Sequence, residues 1–551
     1  MRAESYVNRR LKGLIDELGL TWTDRIQIAP PKDARFGDVA TNAAMILAPE
    51  ARCQPRILAE RIAERVRAEW EEIDRIETAG PGFLNFAFKP VFWQALVPTV
   101  LAEDRDFGRI DFGRGRKVQV EYVSANPTGP LHIGHGRGAA VGDALTRILR
   151  RTGHEVDTEY YLNDAGRQMR ILGLSVWTRY RQQAGQNIPF PEDGYQGGYV
   201  GDIAGSIREA HGDGLLDWEE AKAQDFCREW AMRVILDGIR EDLRVFRAEH
   251  QVWFSEQSLL DSGRVRQTLD DLLTRGLAYE QDGALWFAST RFGDDKDRVL
   301  RKSDGSLTYF ASDIAYHADK VDRGFDFMVD IWGADHHGYV PRMKAAMQAL
   351  GRSPESLGVI LVQLVNLLRG GEQVAMSTRS GEFETLADVC AEVGVDAARF
   401  IFLSRRSDSH LDFDLDKVKE QSMDNPVYYV QYAYARICSL LAKAGERRPT
   451  LEALPDSVLS RLGTDEDLAL LKQMDRFEDA LVQAATGLSP HHVAYYLQGL
   501  AGLLHRYYTV HHILSGEDEE LVQARLGLLT AVRAVLRNGL DLLGVQAPET
   551  M

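Results

Sequence analysis

Two histidines three residues apart, His132 and His135, stand in a turn rich in glycine and proline, NPTGPLHIGHGRG. The turn follows the apolar run KVQVEYVS and precedes a segment with helical periodicity, HGRGAAVGDALTRILRRTG. A helix that begins here offers unpaired backbone N–H groups and the positive end of its dipole, and Gly134 lets a bulky ligand approach the backbone. Both imidazoles can donate hydrogen bonds to phosphate oxygens, which accelerates reactions that build negative charge on phosphorus.

Two other interpretations of this histidine pair stay open at this point. A bare pair at this spacing is about as often a turn whose histidines have satisfied hydrogen bonds. A zinc pair is a third possibility, but no Cys, Asp or Glu follows at ligand spacing. The cysteines are isolated and far apart, and they are Cys53, Cys227, Cys390 and Cys438. The sequence therefore predicts neither a metal site nor zinc.

The strands and helices around the turn predict the fold that positions it. EVDTEYYL reads as a second strand after the helix, and FDFMVDIW, PRMKAAMQALG and GVILVQLV repeat the order strand, helix, strand. Such units predict a doubly wound parallel, Rossmann-like sheet in a multidomain α/β protein, with ligands at the carboxyl ends of the strands. We place this catalytic domain at residues 117–420, with a mostly helical insertion near residues 170–300.

The two ends of the chain differ from this middle part. Residues 1–110 combine helical segments with a strand entered through a glycine turn, AGPGFLNFAF, and predict a small α/β domain. Residues 421–551 are almost purely amphipathic helix and predict a helical bundle. With 551 residues, the chain is too long for one hydrophobic core, so three or more domains are expected.

Composition and charge limit where the protein is located and what it binds. No apolar stretch is long enough to span a membrane, and the N-terminus mixes both charges without a signal peptide's apolar centre, so we expect a cytoplasmic protein. The net charge of −17 by itself disfavours a nucleic-acid partner. A local basic track can nevertheless hold a phosphate backbone, and its candidate members include Arg405, Arg406, Lys417, Lys419, Arg447 and Arg448.

The histidine turn and its surroundings resemble a known family. EYVSANPTGPLHIGHGRGAAVGDALTRILRRTGHEVDTEYYLNDAGRQM is similar to the HIGH signature of class I aminoacyl-tRNA synthetases in its arginyl version. The similarity continues through GYQGGYVGD, LTYFASDIAYHADK, WGADHHGYVPRMKAAM and NPVYYVQYAYARICSLL, and covers essentially the whole chain. The resemblance implies ATP-dependent activation of L-arginine to arginyl-adenylate, transfer to tRNA(Arg), Mg²⁺ bound with ATP, and tRNA binding before activation. We expect a monomer.

The resemblance also assigns an arginine pocket. A guanidinium is planar, charged and has only donors, so it needs carboxylates and other acceptors. Tyr309 and Asp313 lie four residues apart, would share one helix face, and match the family's side-chain recognition pair. Without the resemblance, they would be an ordinary exposed helix pair. Glu121 and Asn126 bracket the strand end before the histidine turn, and the resemblance implies that they hold the ammonium and carboxylate groups of the substrate.

Further residues are expected around ATP. Gly129, Gly134 and the two histidines form the phosphate turn itself. Asp335 and His337 follow the strand FDFMVDIW, and the resemblance implies contacts to the adenosine side, while a structural role is open for His336. Asn163 and Asp164 follow the strand EVDTEYYL and are expected to line the site.

One motif departs from the family pattern. Class I enzymes carry a KMSKS-like loop whose second lysine neutralises the leaving pyrophosphate, and here the catalytic loop contributes Met376, Ser377 and Arg379. Both lysine positions are lost, to Ala375 and Thr378. Some arginyl enzymes carry a substitute lysine just upstream of HIGH, but that place is Gly129 here. Arg379 or Arg137 is a candidate to supply the missing positive charge. The geometry would differ, because a guanidinium is a planar bidentate fork and a lysine ammonium is a point charge.

The helical C-terminal part carries candidates for RNA contact. Tyr429, Tyr432 and Arg436 fall at helical spacing, and aromatic rings beside arginine bind unstacked bases by stacking and cation–π contact. An aromatic stripe alone is more often core, and the resemblance to the arginyl anticodon domain is what favours RNA. Tyr508 and Met551 are expected on the same surface. In the N-terminal domain, Phe83 and Asn85 are candidates for contact with the tRNA elbow.

Two rival functions remain at the level of sequence. One is another class I synthetase, of the cysteinyl or glutaminyl type, and the absence of clustered cysteines disfavours the cysteinyl enzyme. The other is a non-catalytic tRNA-binding paralogue, which the altered loop at Thr378 keeps open. The intact His132, His135, Tyr309 and Asp313 argue against that second rival.

Overall fold

A five-stranded parallel sheet forms the centre of the molecule. The computed structural model describes residues 3–374, 384–447, 450, 454–515 and 518–551. The residues before the central sheet form α1 (Ala3–Glu17), β1 (Ile28–Ala29), β2 (Val39–Thr41), α2 (Ala43–Leu47), α3 (Pro55–Glu69), β3 (Ile73–Ala79), β4 (Phe83–Phe88), α4 (Pro90–Gln94) and α5 (Leu96–Glu103). Their strands make an antiparallel sheet in the order β1-β2-β4-β3. Leu84 and Phe86 of β4 are fully buried, as alternation in a half-buried strand requires.

The central sheet has the order expected of a doubly wound fold. Its strands and the principal helices between them are β5 (Lys117–Glu121), α6 (Ile133–Arg151), β6 (Glu155–Leu162), β7 (Val252–Ser255), α12 (Tyr309–Asp322), β11 (Phe327–Gly333), α13 (Val340–Ala349) and β12 (Leu357–Val362). All pairs are parallel, in the order β12-β11-β5-β6-β7. The strand order reverses between β5 and β11, and a ligand crevice lies at such a point, at the carboxyl ends of the strands.

The first helix of this fold lies directly on its first strand. A Cβ atom at Gly142 of α6 would sit 2.2 Å from the ring of Tyr122, so only glycine permits this close approach. The strand predicted from KVQVEYVS is shorter than expected, because β5 ends at Glu121. Val123 and Ser124 have φ angles of 70° and 39°, which no strand residue adopts.

The segment between β6 and α12 is mostly helical, and it also contains strands that the sequence did not indicate. Its remaining elements are α7 (Arg167–Gln183), α8 (Gly198–His211), α9 (Glu220–Val245), α10 (Glu256–Asp261), α11 (Arg264–Thr274), β8 (Ala278–Gln281), β9 (Ala284–Phe287) and β10 (Arg298–Arg301). The strands β8, β9 and β10 form an antiparallel sheet. β7 belongs to the central sheet as its edge strand, and its four half-buried residues carry too little alternation to be recognised.

The chain after β12 returns to the histidine turn before entering the C-terminal helices. The run GVILVQLV, predicted as one strand, is divided between β12 and β13. The elements here are β13 (Val365–Arg369), β14 (Glu372–Gln373), α14 (Leu386–Val393), α15 (Val395–Leu403), β15 (Leu411–Asp414) and α16 (Leu415–Lys419). Thr385, just before α14, forms an antiparallel bridge with His132, and the Leu386 N–H donates to the Leu131 carbonyl over 2.8 Å.

The C-terminal part is a bundle of helices. They are α17 (Pro426–Ala444), α18 (Asp456–Leu459), α19 (Asp465–Asp475), α20 (Phe477–Thr486), α21 (His491–Val510) and α22 (Glu519–Leu542). The chain breaks at Arg476 between α19 and α20. Phe477 stacks on Phe107 with centroids 6.1 Å apart, so the break fits the bundle against the N-terminal part. Within the described ranges, no helix combines the length and apolar character that a membrane crossing requires.

Candidate active site

The two histidines of the turn form a closed hydrogen-bonded cap on α6. His132 is the N-cap residue, and its Nδ1 accepts from the Gly134 N–H over 3.1 Å. The His132 N–H donates to Nδ1 of His135 over 3.2 Å, and the two rings stack with centroids 3.7 Å apart. Because each Nδ1 is an acceptor, each neutral ring carries its proton on Nε2.

Both histidines are therefore donors rather than cations at neutral pH. Burial lowers the pKa of His135 to about 3, with a contribution from the neighbouring His132, and burial also lowers the pKa of His132. The turn has satisfied internal hydrogen bonds, as one interpretation of the sequence held, and these bonds are what fix the proton on Nε2. Neutral N–H donors beside the N-terminus of a 19-residue helix suit a negatively charged phosphate.

A strained turn connects β5 to the histidine turn. Val123 is β-branched, and its left-handed conformation persists only because the surroundings hold it. The Ser124 hydroxyl donates to Oε1 of Glu121 over 2.9 Å. Nε2 of His250 lies 3.0 Å from the Tyr122 carbonyl, and the Tyr160 hydroxyl donates to the Ala125 carbonyl over 2.8 Å.

Sequence reasoning missed the two side chains that brace this turn. His250 precedes the short edge strand β7, and Tyr160 lies within β6, so neither stands near a recognisable motif. Their role is visible only in the folded structure, where the ring of His250 contacts that of Tyr122 with centroids 4.0 Å apart. Together they hold the backbone at the end of β5, next to Glu121.

Asp313 is a largely buried carboxylate. Burial raises its pKa to about 6, opposed by a hydrogen bond from the Tyr339 hydroxyl and by His317, and supported by the nearby Glu121. Among the residues that the structure describes, no Lys or Arg forms an ion pair with Asp313. A buried carboxylate with no basic partner is a strong acceptor for a cation that binds from outside.

More carboxylates surround this position than the sequence indicated. The Tyr161 hydroxyl is buried beside Glu256. Burial raises the pKa of Tyr161, and the negative charges of four carboxylates add to it: Glu256, Asp313, Glu121 and Asp164. Glu256 is buried, which raises its own pKa. No sequence pattern pointed to Glu256, because it follows an edge strand that was not predicted.

The other predicted residues of the arginine pocket lie nearer to solvent. Tyr309 is the first residue of α12, one turn before Asp313, and is 66% exposed. Asn126 is also exposed, at the start of the histidine turn. Both oxygens of Asp164 are occupied, by the Ser255 hydroxyl at 2.6 Å and the Gln257 N–H at 2.9 Å. Asp164 thus holds the start of α10 in place.

The residues predicted for the adenosine side follow β11 directly. Asp335 and His337 are exposed in a short 3-10 turn, Ala334–Tyr339. β11 pairs with β5 at the point where the strand order reverses, so this turn and the histidine turn share the carboxyl edge of the sheet. His336 lies 3.5 Å from Asp335, also exposed.

Arg137 does not reach the phosphate side of the site, contrary to one expectation from the sequence. It is fully buried, and its guanidinium donates to three backbone carbonyls: Gln363 at 2.9 Å, Ser409 at 2.8 Å and Arg406 at 2.8 Å. Its position on α6 points it away from the crevice and into the chain segments behind. Arg137 is therefore a structural residue, and the pyrophosphate partner has to be sought elsewhere.

The remaining predictions about phosphate contacts concern the catalytic loop and Gly129. Met376, Ser377, Thr378 and Arg379 lie outside the described residues. At Gly129, a Cβ atom would lie 3.1 Å from the Tyr199 hydroxyl, which donates to the Thr128 carbonyl over 2.6 Å. Tyr199 from α8 thus occupies the space beside the position where a substitute lysine would stand.

The four aromatic and basic candidates of the bundle lie together between α17 and α21. The ring of His505 contacts Tyr429 and Tyr432, with centroids 4.5 Å and 5.9 Å apart. The guanidinium of Arg436 lies 4.2 Å from the ring centre of Tyr508. All of these side chains are half-buried, so each keeps part of its surface open. His505 was missed, because a lone histidine in a helix gives no signal.

Other candidates for RNA contact differ in how accessible they are. Phe83 is 41% exposed, while Asn85, two residues further on the same face of β4, is only 6% exposed. Met551, the last residue, is exposed. Three of the basic residues expected to form a positive track are ion-paired: Arg406 with Asp408, Lys419 with Glu392 and Arg447 with Glu519. Arg448 lies outside the described residues.

Three family models match this chain along its length. They are described as the arginyl tRNA synthetase N-terminal domain, the class I (R) tRNA synthetase catalytic domain and the DALR anticodon binding domain, over residues 3–88, 96–421 and 430–551. Together with the parallel sheet and its histidine turn, they define a class I aminoacyl-tRNA synthetase.

Individual relatives indicate the amino-acid specificity within this class of synthetases. An arginine–tRNA ligase from Nitratidesulfovibrio vulgaris strain DP4 is 58% identical, and one from Lawsonia intracellularis is 51% identical, each over all of both chains. A crystal structure of a putative arginyl-tRNA synthetase from Campylobacter jejuni is 37% identical with a TM-score of 0.77, covering 84% of this chain and all of that one. The Thermus thermophilus arginyl-tRNA synthetase, 22% identical over all of both chains, shares the fold with a TM-score of 0.76.

The chain belongs to the arginyl-tRNA synthetase family. The family predicted from the motifs is thus confirmed, as is the predicted fold class: a Rossmann-like catalytic sheet with a small N-terminal α/β part and a helical bundle. Ligation of arginine to tRNA, the reaction that gives the family its name, is the activity of this enzyme. The rival assignment to a cysteinyl or glutaminyl enzyme is thereby wrong.

Proposed function

We propose that the chain charges tRNA(Arg) in two steps at the carboxyl edge of its central sheet. The carboxylate of L-arginine attacks the α-phosphate of Mg²⁺-bound ATP, which forms arginyl-adenylate and releases pyrophosphate. The terminal ribose hydroxyl of tRNA then attacks the acyl carbonyl, and AMP leaves. One observation carries this proposal: Asp313, a buried carboxylate without a basic partner among the described residues, lies near Glu121 at the sheet edge that also holds the histidine turn.

Arginine would be held at both ends. Asp313 would accept the guanidinium's N–H groups, with Tyr309 covering it from the mouth of the pocket. Tyr339 would orient the Asp313 carboxylate through its hydroxyl. Glu121 would face the substrate's ammonium and Asn126 its carboxylate, at the end of the strained turn.

ATP would lie along the histidine turn. The Nε2–H groups of His132 and His135 and the first N–H groups of α6 would bind the charge that develops at the α-phosphate. The backbone at Gly129 and Gly134 allows this close approach. Residues after β11, Asp335 and His337, would bind on the adenosine side. From the catalytic loop, Met376, Ser377 and Arg379 would contact the pyrophosphate, and Mg²⁺ enters as part of the ATP substrate.

The tRNA would bridge the two ends of the chain. The anticodon would contact the α17–α21 surface, with bases stacked on its half-open aromatic rings beside Arg436, and the elbow would contact the N-terminal part. The members of these surfaces are Tyr429, Tyr432, Arg436, Tyr508 and Met551, and Phe83 and Asn85. We further propose that tRNA binds before efficient activation, that the enzyme is a cytoplasmic monomer, and that its domains span 1–110, 117–420 and 421–551.

Aminoacylation of unfractionated tRNA with labelled arginine tests the proposal. Asp313→Ala is expected to lower kcat/KM by at least about 3 kcal/mol, more than a hundredfold, because a desolvated guanidinium loses its charged partner. Asp322→Ala is the matched control, since Asp322 lies on the same helix with its side chain exposed. Charging by Asp313→Ala within tenfold of the wild type would contradict the pocket, and no charging by the wild type would contradict the function.

A further inference from the structure

A buried lysine lies behind the proposed arginine pocket. Lys320 of α12 has no solvent exposure, and its Nζ donates to Oε2 of Glu121 over 2.7 Å and to Oδ1 of Asp330 over 2.9 Å. Glu121 stands at the end of β5, and Asp330 lies in the adjacent β11. A fully buried ammonium is costly and persists only when it is paired in this way. The lysine does not reach solvent or the phosphate turn, so the two-step mechanism leaves it without a task.

The histidine one turn earlier on α12 completes the cluster. Nε2 of His317 lies 3.0 Å from Oδ2 of Asp330, and its Nδ1 lies 2.8 Å from the backbone carbonyl of Asp313. His317 therefore ties the backbone of Asp313 to Asp330 in β11.

These contacts join the two carboxylates that would hold the substrate. From Glu121, the chain of charge-assisted hydrogen bonds runs through Lys320 to Asp330, and from there through His317 to the backbone of Asp313. Asp313 is thereby fixed relative to Glu121 by the helix that carries it and by the two strands below. A cationic amino acid can contact both carboxylates only if the distance between its ammonium and its side-chain cation matches the separation of the two carboxylates.

The charges of this cluster also favour the substrate. Lys320 is a single ammonium shared by Glu121 and Asp330, while Asp313 forms no ion pair with a Lys or Arg among the described residues. Carboxylates therefore outnumber ammonium groups in this cluster. Arginine, with an ammonium, a guanidinium and a carboxylate, brings one net positive charge.

We propose that Lys320 and His317 are positioning residues that set the separation of the Glu121 and Asp313 carboxylates and so determine the length of the cationic amino acid that the site accepts. The inference rests on the proposed roles of those two carboxylates. Without the buried ammonium, the end of β5 and α12 lose their common partner, and the pocket adapts to longer or shorter chains. Selectivity for length then falls while ATP binding is kept.

Pyrophosphate exchange in the presence of tRNA, with arginine and with homoarginine, tests this inference. One methylene is worth about 10–200-fold in a fitted pocket. We expect Lys320→Met to lower the arginine-to-homoarginine ratio of kcat/KM at least about tenfold and to raise the KM for arginine, with the KM for ATP within about twofold of the wild type. His317→Gln, which can donate to only one of the two acceptors through a single amide, should show a smaller change in the same direction.

Arg323→Met is the control for the loss of a paired but more exposed cation next to Lys320. Arg323 caps the end of α12, three residues after Lys320, and pairs with Glu159 and Asp319 rather than with Glu121. The substitution should lower the stability but leave the length selectivity unchanged. Where Lys320→Met does not fold, Lys320→Met combined with Asp330→Asn removes one of the unpaired charges and takes its place.

Variants that keep the wild-type length selectivity within about twofold would overturn the inference. If Asp313→Ala leaves arginine activation intact, the proposed function itself is wrong. If that variant is inactive while Lys320→Met and His317→Gln keep selectivity, only this inference is wrong.

Discussion

The ionisation of Asp313 links arginine binding to pH. Burial is the main cause that raises its pKa from 3.8 to about 6, which corresponds to about 3 kcal/mol for keeping the carboxylate charged in the arginine-free enzyme. A guanidinium placed against this carboxylate favours the charged form and lowers the pKa again. Arginine and a proton therefore compete for Asp313.

Lowering the pH is the perturbation that measures this competition. Above about pH 7, Asp313 is ionised and the affinity for arginine should be level; below about pH 6, it should fall about tenfold per pH unit, because a proton has to be displaced. Equilibrium binding of labelled arginine between about pH 5 and pH 8 gives the curve. Asp313→Asn should bind weakly and without this slope, and Asp322→Asn, on the exposed side of the same helix, should keep the wild-type curve.

The raised pKa of Asp313 also predicts that the folded protein becomes more stable when the charge of this carboxylate is removed. The pKa of Asp313 is higher in the folded than in the unfolded chain, so ionisation costs stability as the pH rises from about 4 to about 6, and the cost is complete above that. Asp313→Asn avoids it while its amide oxygen still accepts from Tyr339. The free energy of unfolding at about pH 7.5 should rise by up to about 3 kcal/mol. A level arginine affinity down to pH 5, or a variant less stable than the wild type, would refute the reasoning.

Three further predictions follow from single side chains. His135→Asn can keep the hydrogen bond from the His132 N–H but loses the Nε2–H donor, so kcat for pyrophosphate exchange should fall about 10²–10³-fold with little change in Tm; an unchanged kcat would contradict the donor role. Arg137→Met frees three carbonyls and should lower the free energy of unfolding by roughly 3–5 kcal/mol, with the KM for ATP unchanged in the folded variant. Arg436→Ala should raise the KM for tRNA about tenfold by removing the cation over Tyr508, and an effect on the KM for arginine alone would count against RNA contact.

The sequence predicted helices and strands well where a single periodic run of residues forms a single helix or strand. The strand β6 has the predicted bounds, and α6 begins at the turn because His132 and His135 cap it through bonds between near neighbours. Predictions were less accurate where tertiary contacts override the local pattern. β5 stops early because side chains from β6 and the segment before β7 hold the Val123 turn in a left-handed conformation.

The site was predictable only as far as its motifs reached. Asp313 stands in a family-like segment, but its buried environment depends on Tyr339 and Glu256, which come from other elements. Lys320 meets Glu121 across 199 residues of sequence, a distance over which no spacing rule applies. Arg137 was misjudged because a helical position near a motif does not reveal which way a side chain points.

The central claim is that a carboxylate pocket selects a guanidinium beside the histidine turn. Pyrophosphate exchange in the presence of tRNA, with arginine and with its uncharged isostere citrulline, tests this claim most directly. We predict exchange with arginine and a kcat/KM for citrulline lower by at least about a thousandfold, because a buried carboxylate would be left without its cation. Exchange with citrulline at a comparable rate would contradict the account.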